Sequence, residues 1–291
     1  MGLNLRFDKK IDIHFLDDDG EDKAAIICPE KGRKPTIEIV GQYLAGDCVA
    51  HMNVTIKNFY LDAVGKAYPK IKISAGYGKK KKDFVCYIFS IFQESPGPEG
   101  STVIQCTPKN LNNWLTATVN AHVDAGGSLK EAVSAISDAV EGFDDPLIDD
   151  GAADMKSETQ LDFNGLAREE LRKVQKAFPD AVISVNGNQI VCWSKNKPKS
   201  KTRRSIDFMS APPQITGGGS NAVMAVITAP WDPDLKCGDL VEFPARFYAG
   251  RSGNVTKEAE TMTMIPYSVQ FQFSTTGNAN KMVLTGTIVE D

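Results

Sequence analysis

Apolar side chains recur at every second position near both ends of the chain, and this period confines those regions to half-buried β-strands. Val54 and Ile56 alternate with Thr55 and Lys57, and Ile71 and Ile73 with Lys72 and Ser74. Towards the other end, Phe271 and Phe273 alternate with Gln270, Gln272 and Ser274. Within residues 1–104 the β-rich runs are IDIHF, TIEIV, VAHMNVTI, KIKISAGY, DFVCYIFSIF and STVIQC. Turn clusters such as Asp17–Gly20 and Ser95–Pro98 separate them. Six strands in about a hundred residues suggest a sandwich or barrel. Residues 205–291 supply further runs at 222–229, 239–243, 260–265, 267–273 and 282–289.

The middle third has another period. Ser128 followed by Glu131 has the form of a capping box. Leu129, Ala132, Val133, Ile136 and Val140 then recur at helical spacing up to Gly142, a helix stop. A second helix is predicted over about 165–178, with Ala167, Leu171, Val174 and Phe178 on one face and Pro179 at its end. AVISV-NGN-QIVCW reads as a hairpin whose Asn186-Gly187 pair supplies the positive φ angles of the turn. Two charge blocks flank this unit. Residues 138–154 carry seven acids and no base, and read as an exposed acidic loop. Residues 195–204 carry six bases and no acid, and read as a linker or exposed turn. The fold class is therefore α+β, mainly β, divided as 1–104, 105–204 and 205–291.

Composition narrows the function. Lys plus Arg number 33 and Asp plus Glu 37, a net charge of −4, which is unsuited to general nucleic-acid binding. At 291 residues and 42% hydrophobic, the chain can bury a core without disulfide or metal staples. The N-terminus alternates polar and apolar residues and lacks the apolar core of a secretory signal. No apolar run is long enough for a transmembrane helix. Arg6 breaks the myristoylation pattern begun by Met1-Gly2. Cys28, Cys48, Cys86, Cys106, Cys192 and Cys237 are scattered without a CxxC, as expected of free buried thiols in a reducing cytoplasm.

Chemical motifs fail one after another. His14, His51 and His122 lie in separate segments, and no HExxH occurs. DDDGED at 17–22 lacks the spaced ligands and distal Glu of a calcium loop and reads as a hairpin turn. Gly76-Tyr77-Gly78 before Lys79 is not a phosphate loop, and GRSG at 250–253 is not a GxSxG elbow. No catalytic, cofactor-binding or metal-ligating residue is assigned. The sharpest local feature is Lys79, Lys80, Lys81 and Lys82, whose mutual repulsion places them at an exposed loop tip between two strands.

Three passages, taken in order, resemble the baseplate hub proteins of long-tailed bacteriophages. That group includes the late control gene D family and the N-terminal half of the type VI secretion spike protein. The first is 49–78, with Val54-Thr55-Ile56-Lys57-Asn58 and Ile73-Ser74-Ala75-Gly76-Tyr77 in the matching places. The second is SLKEAVSAIS followed by the helix and hairpin of 166–193. The third is 208–243, where Pro233, Leu235, Gly238, Asp239 and Val241 match. With the C-terminus soon after the second barrel, no long lysozyme-like or needle portion of larger relatives is expected.

The resemblance implies two tail-tube-type β-barrels with a small α+β insert between them, and a structural role without enzymatic activity or cofactor. A homotrimer would present six barrels to the six-fold tail tube protein and a three-fold face to the central spike protein. Tape measure protein or other baseplate proteins would be neighbours, and the genome would only pass through the lumen. The expected location is the virion tail baseplate, assembled in the host cytoplasm. Lys79–Lys82 and Phe84, Phe89 and Phe92 are the candidate interface residues, and Gly238-Asp239 the structural turn. A strand buried on both faces of its own barrel is the other reading of Phe84–Phe92. Competing functions are a tailocin or other contractile-particle hub, a β-rich hydrolase built on distant paired carboxylates, and an OB-type single-strand binder with a basic aromatic groove.

Overall fold

A computed structural model describes residues 8–27, 29, 35–44, 51–59, 68–78, 80–94, 100–108, 111–186, 188–195, 203–206, 213–217, 223–244, 261–277 and 280–289. The first third forms β1 (Lys9–Leu16), β2 (Asp22–Ile26), β3 (Ile37–Leu44), β4 (His51–Lys57), β5 (Lys70–Tyr77), β6 (Lys80–Gln93) and β7 (Ser101–Pro108). The alternation does what it predicts: in β4, Met52, Val54 and Ile56 are buried, while Asn53 and Thr55 are half-buried. β2, rich in Ala and short, escapes the pattern, yet it pairs with β1 across the Asp17–Gly20 turn. The Ser95–Pro98 cluster lies outside the described residues.

The middle third builds its own core. It contains α1 (Leu111–Thr116), β8 (Thr118–Val123), α2 (Leu129–Ser137), β9 (Asp144–Ile148), α3 (Asp150–Ala153), β10 (Leu161–Leu166), α4 (Ala167–Ala177), β11 (Ala181–Asn186) and β12 (Gln189–Ser194). The capping box is present: the Glu131 amide donates to Ser128 Oγ and the Ser128 amide to Glu131 Oε2. Trp114, Leu129, Ile136, Phe163, Leu171 and Ile190 are among its buried residues. Two expectations need correction. The acidic block is not a plain loop, because β9 pairs in parallel with β12 and α3 follows it. The hairpin turns one residue later, since Asn186 pairs with Gln189 as the last rung of the ladder. Asn186 is not among the positive-φ residues. Its side-chain amide instead donates to the Cys237 carbonyl.

The last third forms β13 (Arg203–Ser205), β14 (Gln214–Thr216), β15 (Met224–Ala229), β16 (Leu240–Pro244), β17 (Thr261–Ser274) and β18 (Asn280–Val289). The runs 260–265 and 267–273 are one strand. Pro266 is accommodated where the register shifts against β18 between Pro266 and Ser268, a bulge that spares the ladder a missing donor.

The decisive arrangement is the join between the outer thirds. β17 pairs antiparallel with β3, from Ser268 opposite Leu44 to Ser274 opposite Glu38. The described strands of both thirds therefore make one 13-stranded sheet, in the order β14-β15-β18-β17-β3-β4-β7-β6-β5-β1-β2, with β16 and β13 branching from β17. They also share one core. The Trp231 ring stacks on Phe271 at 5.3 Å and Phe84 at 6.2 Å, and meets Phe273 at 4.5 Å between centroids. Tyr77 lies edge-on to Phe273, and its hydroxyl donates to Asn280 Oδ1. Gly41 is required at the join, because a Cβ there would sit 2.4 Å from the Phe271 ring. Trp231→Ala is expected to cost about 3–5 kcal/mol of unfolding free energy. Gly41→Val should cost about 1–3 kcal/mol through overpacking. Urea titration checks both, and a loss below the lower bound in each would refute a shared core.

Candidate assembly surfaces

Three surfaces gather the polar and exposed side chains. The first is the turn entering β16. Gly238 has φ +90°, a left-handed conformation, and a Cβ on it would lie 2.9 Å from the Trp193 ring. Its amide donates to the Pro266 carbonyl at 3.0 Å. Asp239 Oδ2 accepts from the Lys236 amide at 3.0 Å and from Arg204 Nε at 2.9 Å. Arg204 also donates to the Asp234 carbonyl at 2.9 Å, and Lys82 of β6 lies 3.4 Å from the Asp234 carboxylate. Burial pushes the Asp239 carboxyl up, against the Lys236 amide and the Arg204 charge, which favour its ionised form. Burial pushes the Lys236 ammonium down, and the neighbouring Lys82 charge adds to this. A cleft of about 210 Å³ opens here between the turn and the middle third, with Leu147, Asp149, Asn186, Trp193 and Lys236 on its walls. Arg204, assigned to the basic linker, is therefore the ionic clasp of the turn.

The second surface is β6. Its lysines are not at a loop tip. Lys80, Lys81 and Lys82 lie in the strand opposite Tyr77, Gly76 and Ala75, because a tight turn at Gly78 starts the ladder at once. Carboxylates relieve their repulsion: Lys81 pairs with Asp12, and Lys82 with Asp234. Lys79 lies outside the described residues. Phe84 is buried under Trp231 and belongs to the core, not to an exposed interface. The strand is not buried on both faces: Phe89 is 62% and Phe92 41% exposed.

The third surface was only half legible in the sequence. Gln270 and Gln272 face outward on β17, and the register places Gln42, Val40 and then His51 and Asn53 beside them. Gln105 continues the row on β7. With Lys281, the residues named on β17, β3 and β4 line a shallow groove of about 320 Å³ across the join. Amides are prominent in it, and Gln272 donates to Glu38 beside it. The QFQF alternation exposes Gln270 and Gln272 in the sequence, and the alternation of β4 exposes Asn53; Gln42 carries no such signal.

Elsewhere, His122 on β8 sits between Asp162 on β10, 2.5 Å from Nδ1, and Asp124, 3.0 Å from Nε2. The Asp162 hydrogen bond, followed by that of Asp124, raises the imidazole above its usual value, and the His122 bond lowers the Asp162 carboxyl. Cys86, Cys106, Cys192 and Cys237 are free and buried; Cys28 and Cys48 lie outside the described residues. Among the described residues no group of three or more His, Cys, Asp or Glu is placed to hold a metal ion. No described helix is long and apolar enough to cross a membrane.

No family model and no curated protein matches the chain in sequence. Solved structures do match it. The 43 kDa tail protein of prophage MuSo2 from Shewanella oneidensis superposes with a TM-score of 0.55 at 9% identity, over 97% of both chains. A tail protein from Neisseria meningitidis gives 0.57 at 7% identity, again over 97% of both. The chain shares their fold. An E. coli component of the type VI secretion system, itself structurally similar to T4 bacteriophage tail proteins, gives 0.53 at 8% identity over 90% of this chain and 76% of its own. The mainly-β α+β architecture is thus that of tail proteins, at identities where no individual side chain is carried across.

Gly238→Ala is expected to cost about 2 kcal/mol, from the left-handed backbone and the Trp193 contact together; equal stability in urea would refute the assignment. The His122–Asp162 pair has a pH signature. His122 contributes below its usual 6.5, and this is lost as pH rises through its raised value. Asp162 contributes above 3.8, lost as pH falls through its lowered value. Thermal midpoints should therefore decline above pH 6.5 more in the wild type than in His122→Gln, and parallel curves would contradict the pairing.

Proposed function

We propose that this chain is a structural component of a phage tail baseplate, a trimeric hub that joins a six-fold tail tube to a three-fold central spike. The observation that supports it best is the end-to-end superposition on tail proteins, covering 97% of the chain. Within this chain, β3 and β17 join the strands of the two outer thirds into one sheet. A chain with two tube-like halves supplies six such units per trimer, which is the arithmetic a six-to-three adaptor needs. The divisions proposed are 1–104 and 205–291 for the tube-like halves and 105–204 for the insert.

The surfaces suit binding rather than bond making. The groove across β4, β3 and β17 offers amide hydrogen bonds and, in Lys281, a single lysine charge, so a polyanion sliding along it would find little ionic anchoring. We therefore assign this face to the lumen, which passes DNA or tape measure protein. The insert, with 14 acids against 6 bases in residues 111–194, faces away and meets other baseplate proteins. Phe89 and Phe92 on β6 are assigned to the contact between copies. Residence in the virion tail follows from this role.

Mass photometry of the purified protein, repeated with its tail tube protein, tests the proposal. A particle of three times 31.7 kDa, or a ring that forms on the tube, is the expected result. A monomer that ignores tube protein at high concentration would refute it.

A further inference from the structure

The outer thirds repeat one plan that the sequence hides. Each centres on a 14-residue strand, β6 or β17. Each strand carries a one-residue bulge at an aromatic residue followed by serine, Phe89-Ser90 in β6 and Tyr267-Ser268 in β17. Before the bulge β6 pairs with β5, and β17 with β16. On the opposite side β7, β4 and β3 follow β6, while β18, β15 and β14 follow β17. The registers agree across both sheets. Ser90 leads through Gln105 and Asn53 to Val40, and Ser268 leads through Thr285 and Val226 to Gln214.

The copies differ at one edge. Beyond its bulge β17 gains β3 as a second neighbour. Beyond its bulge β6 has no second strand neighbour among the described residues, and β14, the counterpart of β3, has none on its outer side. Both edges expose apolar groups. Ile215 of β14 lies opposite the fully buried Ala225, so it points to the core side, yet it is 40% exposed. Phe92 lies opposite the buried Val103 and is 41% exposed. Open apolar edges of this kind are hazards unless another strand covers them. Across Ser90–Glu94 and Gln214–Thr216 the only charge is Glu94, so two copies can meet there without like-charge repulsion.

We propose that these edges pair between copies, with β14 of one chain added to the end of β6 in the next, as β3 is added to β17 within the chain. The inference rests on the trimer reading above and specifies its contact. Counted from the bulge serine, Phe92, Gln93 and Glu94 take the places of Gln270, Phe271 and Gln272. Thr216, Ile215 and Gln214 take those of Gln42, Gly41 and Val40. The β17–β3 register, Gln270 opposite Gln42 and Gln272 opposite Val40, then sets Phe92 opposite Thr216 and Glu94 opposite Gln214 of the neighbour. Such a contact is head-to-tail, and a three-fold rotation between copies closes it into a ring.

Directly opposed residues in an antiparallel pair have Cα atoms about 4.5–5.5 Å apart, within the Cα separation that a disulfide spans. The double variant Phe92→Cys/Thr216→Cys, oxidised with diamide and run on a non-reducing gel, should give a dimer and trimer ladder that reductant removes. Diamide is reduced to its hydrazine as it takes the two thiol hydrogens for each disulfide formed. The parent chain and each single variant should give no ladder. Phe92→Cys/Ile215→Cys, whose thiols lie on opposite faces, should give none either. Independently, Ile215→Asp should weaken trimer formation at least tenfold with the thermal midpoint of the monomer unchanged. Absence of the ladder, or an undiminished trimer in Ile215→Asp, while light scattering still finds the wild-type trimer, overturns this pairing and leaves the hub reading intact. A wild type that stays monomeric with tube protein present overturns both.

Discussion

The packing of Trp231 between Phe84 from the first third and Phe271 and Phe273 from the last is the contact on which the architecture depends. Indole and phenyl rings bury large areas and favour offset or tilted contacts, so a few of them can fasten two sheets. With β3 hydrogen-bonded to β17, the stack closes a single core over two regions that a stretch of chain with its own core interrupts. Gly41 leaves room for the tip of the Phe271 ring at the join.

The middle third is attached to this core by a small set of directional contacts. Trp193 leaves its own hairpin to pack against Gly238, and Asn186 reaches the Cys237 carbonyl. Arg204, returning from the insert, donates to Asp239 and to the backbone of the same turn. The turn before β16 thus receives the insert, the returning strand and Lys82 of the first third together. A carboxylate as buried as that of Asp239 is tolerable only with such donors around it. This explains why a short Gly-Asp turn carries so much of the geometry.

The outward surface has a different logic. Charges on the strands are largely neutralised in pairs, as with Lys81 and Asp12, while the groove across the join is lined with amides. Exposed apolar side chains include Phe89 and Phe92 about the β6 bulge and Ile215 on the edge strand β14, places where a protein that acts alone would put charge or proline. This is the distribution expected of a component that finishes its sheet within an assembly, and it agrees with the tail-protein fold.

The sequence alone determined the strand-rich ends, the capped helix of the insert, the turn at Gly238-Asp239 and the absence of a recognisable catalytic motif. Each of these depends on residues close together in the chain: a period of two, a Ser–Glu pair, a glycine that must be left-handed. The tertiary structure decided the rest. Period two says which side of a strand is buried, not which strand lies beside it, so neither the β3–β17 join nor the amide groove could be read from spacing. Pro266 looked like a strand break until a bulge accommodated it, and four adjacent lysines looked like a loop until Asp12 and Asp234 arrived from distant segments to neutralise two of them. Local sterics and periodicity are written along the chain, whereas charge compensation and strand order depend on neighbours that only folding brings together.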